Sequence, residues 1–507
     1  MKPETLLANI VHCCDIPAGA SIPLNNPHAV SVSLPTMADV IGYEENDPVV
    51  LSSMQSGYPR FFMNKLVEKL CFHLREKHDV PDAIDLLPLM SHRALEIANE
   101  RFGASFNFIE KQGSIFILIA KESLQRQAVI DFIRHSGILL SSRMAEDILL
   151  SLGLIAQLFH ETLFEACDAA GAIKTTLGKA YRVEHPEQVM LCSCGMNAVY
   201  AVFEAMIRLN RGTEKQTILQ AGWLYIDTLE IIRKFGRSSV LLASVTDMTK
   251  LEEKIISGHE TIGAVFTEIP NNPLIECVDL PRLYDLCKRY DIPLVVDSTI
   301  GTPYNMNILP YCDVAIESLT KFACGKGDVL MGAVILNDKS SLAGELKELI
   351  SPNIVQPYSR DTSRLAQNIQ GYAHRVEVVA VNTAKIISYL EKSPAVKQVY
   401  SVLHPHSHQN FLKICKHPDA LPGLISVVFN KPLVHFYDKL NLPKGPSLGT
   451  EFTLAMPYAY LAHYNLVKTK AGREELLEMG LDPELLRLSI GTEPAEEIIG
   501  VFRAAGI

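Results

Sequence analysis

Ser318-Leu-Thr-Lys-Phe-Ala-Cys-Gly-Lys-Gly-Asp-Val-Leu-Met-Gly332, followed at once by the apolar run Ala333-Val-Ile-Leu336, decides how this chain is read. Lys321 stands beside two hydroxyl residues, Ser318 and Thr320, and ahead of three glycines. Burial disfavours the charged form of an amine and leaves its lone pair able to attack an aldehyde. A lysine nucleophile needs that setting, although a loop lysine reaching solvent is the commoner use of the residue. Upstream, Asp291-Ile-Pro-Leu-Val-Val-Asp297 reads as a buried strand ending in a carboxylate, with Ser298-Thr-Ile-Gly-Thr-Pro303 as a turn. Open α/β sheets place ligands at that end of a strand. Paired with such a lysine, Asp297 is suited to holding a pyridinium nitrogen protonated.

Further out, Val189-Met-Leu-Cys-Ser193 reads as a strand, and Cys194-Gly-Met-Asn-Ala198 opens a helix whose N-terminal N–H groups can hold a phosphate. A plain strand-to-helix turn has the same appearance. Ser239–Ser244, Ile262–Glu268 and Pro293–Asp297 alternate with helical patterns over Thr249–Ser257 and Pro281–Tyr290, a rhythm that predicts a mostly parallel sheet with helices on both faces. Arg487 lies alone in the apolar strand Leu485–Ile490 and is costly to bury unless an anion pairs with it. An amino-acid carboxylate held bidentately is one such anion, and an internal salt bridge is another.

These residues resemble the Cys/Met-metabolism family of pyridoxal-phosphate enzymes, which includes the cystathionine γ-synthases and lyases. The family patterns V-D-N-T-x-x-T-P and S-x-T-K-Y-x-x-G-H-x-D-x-x-x-G are kept except for Ser298, Phe322 and Lys326. The resemblance implies a fold-type-I α/β architecture with a smaller C-terminal α/β domain and pyridoxal 5'-phosphate on Lys321, its ring nitrogen on Asp297. It implies a phosphate cradle of Gly195, Met196, Ser318 and Thr320, and Tyr58 and Arg60 arriving from a neighbouring subunit through the Tyr58-Pro-Arg60 match to Y-S-R. Tyr225, in the place of Y-G-G-T, stacks on the ring and moves protons, although Ile226-Asp227 replaces the two glycines. Asn272 in Glu268-Ile-Pro-Asn-Asn-Pro273 approaches the ring oxygen. Arg487, with Ser447 of Pro446-Ser-Leu-Gly449, binds the substrate carboxylate.

Composition sets outer bounds. With 507 residues, 48% of them hydrophobic, the chain can bury a large core in two or three domains. A net charge of −10 without a basic block argues against nucleic acid or an anionic membrane as partner. The start lacks a secretory pattern. Gly137 to Phe159, the most apolar long stretch, carries Arg143, Glu146 and Asp147 and reads as an amphipathic helix, not a membrane span. Eleven scattered cysteines fit reduced thiols in a cytoplasmic protein, and none has zinc spacing. His404-Pro-His-Ser-His408 reads as a surface loop, so no metal is expected.

Four units are expected: an arm over residues 1–76 that reaches a neighbouring subunit, an extra segment over 77–185, a cofactor domain over 186–365 and a C-terminal domain over 366–507. Within the extra segment, Ser105–Glu110 and Ser114–Ala120 read as a strand pair flanked by helices. A helical run over Ser363–Lys392 bridges to the C-terminal domain. The extra segment, with His28–Thr36 and Lys444–Thr450, makes the chain similar to the long fungal-type cystathionine γ-synthases. That narrower likeness implies γ-replacement: cysteine joined to an O-activated homoserine to give cystathionine, in transsulfuration and methionine biosynthesis, by a homodimer or homotetramer. A γ- or β-lyase, a sulfhydrylase and a non-catalytic regulatory protein keeping the fold are the alternatives.

Overall fold

The computed structural model describes residues 16–58 and 62–507. Its centre is a seven-stranded sheet, approached here from the N-terminus. The arm carries a two-stranded ladder, β1 (Ser21–Ile22) and β2 (Ser31–Val32). The extra segment holds a three-stranded antiparallel sheet, β3 (Ile84–Leu89), β4 (Phe108–Lys111) and β5 (Ser114–Ala120), in the order β3-β5-β4. The central strands are β6 (Val189–Cys192), β7 (Thr217–Ala221), β8 (Ser238–Leu242), β9 (Ile262–Glu268), β10 (Leu294–Asp297), β11 (Val314–Ser318) and β12 (Gly332–Leu336). Their order is β6-β12-β11-β10-β9-β7-β8, and β12 alone runs against the others. A C-terminal antiparallel sheet, β13 (Val396–Tyr400), β14 (Leu424–Phe429), β15 (Leu454–Pro457) and β16 (Leu486–Ser489), has the order β13-β14-β16-β15. The expected mostly parallel α/β architecture is therefore present.

Successive strand residues point to opposite faces, and the central strands fill two cores accordingly. On β10, Leu294 and Val296 join one core and Val295 the other; on β11, Ala315 and Ile316 divide the same way. Strands buried on both faces read as continuous apolar runs, which is why they were legible. The second core also contains Leu86, Ile115, Ile117, Phe132 and Ile148, so the extra segment packs as a layer over the helix Gly195–Leu209.

A buried ionic network pins that layer to the lysine loop. The Arg143 guanidinium donates to Glu161 at 2.6 and 2.8 Å, to Asp361 at 2.9 Å and to the Asp328 carbonyl at 2.8 Å. Arg364 binds the Asp328 carboxylate at 2.8 Å, and Arg360 bridges Glu146, Asp147 and Glu161. Arg143 and Glu146 thus lie inside the protein, where one partner compensates another. The stretch Gly137–Phe159 accordingly is not one amphipathic helix. Only Ser142–Ser151 is helical, capped by the Ser141 hydroxyl, and the charges were read as a solvent face when they are the clamp.

Four other segments take definite form. The arm packs on its own chain: Val30 N–H donates to the Gly327 carbonyl, Leu34 N–H to Lys444 and Met37 N–H to Asp438, while Ile16, Ala20 and Ile22 cover Phe452 and Leu454. The stretch Ser363–Lys392 is broken, a helix Ser359–Asn368 passing through a 3-10 turn at Ile369–Gly371 into the helix Tyr372–Leu390. The expected strand pair, β4 and β5, lies between the helices His92–Phe102 and Arg126–Ser136, and a third strand that sequence reading missed, β3, joins it, its Ile-Asp-Leu-Leu-Pro-Leu lacking clear alternation. His404–His408 is no loop, because Pro405 takes the first position of the helix Pro405–Ile414, where its missing N–H costs nothing.

Under the site, Glu317 accepts from the Tyr181 hydroxyl at 2.6 Å and the Tyr372 hydroxyl at 2.7 Å. Burial pushes its carboxyl up to about 7, against which the two tyrosine hydrogen bonds pull down. The native state keeps this proton over a range in which the unfolded chain has lost it. Stability from this group therefore falls as pH rises from about 4.5 to about 7, by about 3 kcal/mol, and then levels. Urea unfolding at pH 5 and pH 7.5 should show that fall in the wild type and a flatter profile in Glu317→Gln; equal slopes would refute it.

Candidate active site

The C-terminal ends of the central strands and the first turn of the helix Gly195–Leu209 face the C-terminal sheet across one cavity. It is lined by Tyr58, Gly195, Met196, Tyr225, Asn272, Asp297, Ser318, Thr320, Lys321, Ser447 and Arg487, which the sequence had singled out from widely separated positions. Arg60 lies outside the described residues.

Lys321 follows β11 and is 8% exposed. Its Nζ donates to Ser447 Oγ at 2.9 Å and to Tyr58 Oη at 3.2 Å, and sits 5.0 Å above the Tyr58 ring. Among the described residues no carboxylate pairs with it. Tyr58 thus reaches the lysine of its own chain. The arm that carries it is stitched by hydrogen bonds to residues 327, 438 and 444 of the same chain.

Two glycines let backbones close on the lysine loop. Gly449 has φ +74°, and a Cβ there would lie 2.6 Å from Phe322 N and 2.9 Å from Lys321 Cβ. A Cβ on Gly195 would lie 2.8 Å from Ser318 Oγ, so the helix N-terminus and the Ser318 hydroxyl share one corner. Cys194 caps that helix, its Sγ accepting from Asn197 N–H at 3.4 Å, and burial pushes its thiol up to about 11. It stays uncharged where an anion is to sit. Thr320 Oγ1 accepts from Met331 N–H at 3.1 Å.

Asp297 ends β10 with one carboxylate oxygen accepting from Thr299 N–H at 2.9 Å, and burial raises its pKa. Glu268, its register partner on β9, is driven well above the usual carboxylate range by burial and then by Asp297. Sequence reading gave Glu268 no role beyond its place in a motif; the structure makes its carboxyl the acceptor for Tyr225 N–H. Tyr225 is the N-cap residue of the helix Ile226–Phe235, so Ile226-Asp227 starts that helix. Asp227 turns away from the cavity's centre to His135 Nδ1 at 2.9 Å. Arg487 Nη2 donates to the Ser447 carbonyl at 2.6 Å and Nη1 to Asn272 Oδ1 at 3.2 Å, with its guanidinium 5.5 Å from the Tyr458 ring. Ser447 holds φ +95°, a strained setting for a non-glycine residue that places its carbonyl on Arg487 and its hydroxyl on Lys321. Lys326, in the family's histidine position, pairs with Glu451 at 2.5 Å.

Residues 175–505 match the family described as Cys/Met metabolism PLP-dependent enzyme. The chain belongs to that family. Pyridoxal 5'-phosphate is its expected cofactor, and the residues present fit it: among the described residues Asp297 has no cation partner and Arg487 no carboxylate, an unbalanced pair of the kind that a ring nitrogen and a substrate carboxylate balance.

Relatives span nearly the whole length. L-2-amino-4-chloropent-4-enoate dechlorinase/desaturase of Streptantibioticus cattleyicolor is 36% identical over 482 residues, 94% of this chain and 96% of its own. Cystathionine gamma-synthase of Neurospora crassa is 28% identical over 611 residues, 96% of this chain and 97% of its own. Such coverage takes in most of the extra segment, which lies largely ahead of the family match. Among solved structures, cystathionine gamma synthase from Xanthomonas oryzae pv. oryzae in complex with aminoacrylate and cysteine superposes with a TM-score of 0.56 at 22% identity, covering 69% of this chain and 91% of its own. The fold is shared.

The cavity also has walls that sequence reading missed. Arg134, Gly137 and Leu139 come from the extra segment, Met456 lies on β15, and Tyr458 and Leu461 follow it. No motif marks them, because their place depends on packing between distant units.

Proposed function

We propose that this chain removes a leaving group from Cγ of an L-α-amino acid, and that its reaction is γ-replacement, with cysteine adding at Cγ of an O-activated homoserine to give cystathionine. The observation that carries the reading is the set of Lys321, Ser447, Tyr58, Asp297 and Arg487 around one cavity. In it, Lys321 would be the residue that holds the cofactor aldehyde. Its amine, held by Ser447 and Tyr58, takes the proton from Cα and moves protons at Cβ. Arg487 and Ser447 hold the substrate carboxylate. Asp297 would pair with the ring nitrogen, Gly195, Met196, Ser318 and Thr320 would hold the phosphate, and Tyr225 and Asn272 would take the ring face and the ring oxygen. When bound, the cofactor supplies the electron sink for the carbanion at Cα.

A second reading is elimination with no acceptor. The relative at 36% identity favours it, since the name of its substrate puts chlorine on C4, the γ-carbon of an amino acid. The apolar wall of Leu139, Leu330, Leu448, Met456 and Leu461 suits a small uncharged γ-substituent. Incubation with O-acylhomoserines, with and without cysteine, and separately with 2-amino-4-chloropent-4-enoate, decides. Cystathionine formed only with both substrates supports γ-replacement, chloride release without an acceptor supports elimination, and no turnover of either would return the chain to a non-catalytic role. We further propose the four units 1–76, 77–185, 186–365 and 366–507, and a cytoplasmic homodimer or homotetramer. Every described cysteine is a free thiol, which supports a reducing compartment.

A further inference from the structure

The helix Arg126–Ser136 of the extra segment ends against the first turn of the helix Gly195–Leu209. The Gly137 carbonyl at that end accepts from Cys194 Sγ and from Ser193 Oγ, each at 3.3 Å, and His135 holds Asp227. Seen electrostatically, the negative end of one helix dipole meets the positive end of another, which weakens the second as an anion site. A cation in the last turn of the first helix offsets this. Arg134 is that cation, and it lines the cavity with Gly195 and Met196.

Its neighbours are already engaged: His135 with Asp227 and Lys234, and Lys234 with Asp131 at 2.9 Å. Arg134 itself forms no ion pair among the described residues. The other cations lining the cavity are held elsewhere, Lys321 by Ser447 and Tyr58, Arg487 by Ser447 and Asn272. Among the described residues Arg134 therefore is the cation on the Cys194-Gly195-Met196 side, and it is free to take a partner.

We propose that Arg134 is a ligand of the cofactor phosphate, supplied by the extra segment of the same chain, with His135 and Gly137 fixing the helix end that carries it. An arginine fork matches paired phosphate oxygens, and the bond is charge-assisted. This gives the extra segment a role in holding the cofactor. The inference rests on the phosphate lying at Gly195, Met196, Ser318 and Thr320.

The test compares affinities of the full-length, cofactor-resolved protein for pyridoxal phosphate and for pyridoxal, which lacks the phosphate, by absorbance titration. Arg134→Gln should raise the Kd for pyridoxal phosphate about ten- to hundred-fold, the worth of one charge-assisted bond, and leave pyridoxal unchanged. Arg134→Lys should recover part of the loss. Ser318→Ala is the control for the phosphate placement. If Ser318→Ala weakens binding and Arg134→Gln does not, the Arg134 assignment fails and the placement stands. If neither does, both fail. Equal losses for pyridoxal and pyridoxal phosphate would make Arg134 a structural residue and overturn the proposal.

Discussion

Lys321→Ala protein should fold as the wild type, show no visible absorbance of covalently held cofactor after incubation with pyridoxal phosphate, and lose at least about 10²–10⁴-fold in turnover. The small effect on folding follows from what the lysine touches. Its Nζ bonds only to the hydroxyls of Ser447 and Tyr58 among the described residues, so truncation leaves no buried carboxylate without its cation. A broken buried ion pair costs about 3–5 kcal/mol; here the change in urea unfolding should stay near 1 kcal/mol. The large effect on chemistry follows from one group serving as covalent anchor and as proton carrier. A Lys321→Ala protein that retained the absorbance band would sink the assignment. One that lost it only by unfolding would show a collapsed denaturation midpoint.

The parts of this fold that were legible are those where local pattern and tertiary role coincide. Strands β9, β10 and β12 sit between helices and are buried on both faces, so their apolar runs announced them. Asp297, Ser318 and Gly195 stand at strand ends or a helix start, where a carboxylate, a hydroxyl or a glycine breaks an apolar run. The misreadings came where two distant pieces settle the outcome together. Arg143 and Glu146 read as a solvent face because their partners, at Glu161, Asp361 and Arg360, are invisible to local periodicity. What Asp227 does in place of a glycine was not legible because His135, its partner, lies 92 residues away. The arm's attachment to its own chain draws on backbone N–H groups, Val30 to Gly327 and Leu34 to Lys444 among them, which leave no mark in the side-chain pattern.

Arg487→Met should raise the KM for the amino-acid substrate about 10²-fold or more while leaving the resting protein as stable as the wild type or slightly more so. The two effects part because Arg487 is a buried cation without a carboxylate partner among the described residues. Burial lowers its pKa, which is to say that the fold bears a cost for keeping the charge there. Replacing a buried charge with an apolar side chain of similar length removes that cost, and the two neutral acceptors it leaves, the Ser447 carbonyl and Asn272 Oδ1, take part of it back. Substrate binding is different, because a carboxylate entering this cavity loses a two-pronged, charge-assisted contact. Arg487→Lys should also bind poorly, since an ammonium cannot span both oxygens and the Ser447 carbonyl at once. Steady-state kinetics and urea unfolding on the same three proteins separate the roles. Were Arg487 purely structural, its replacement would cost several kcal/mol of stability with KM unmoved, whereas a carboxylate clamp moves KM and leaves stability alone.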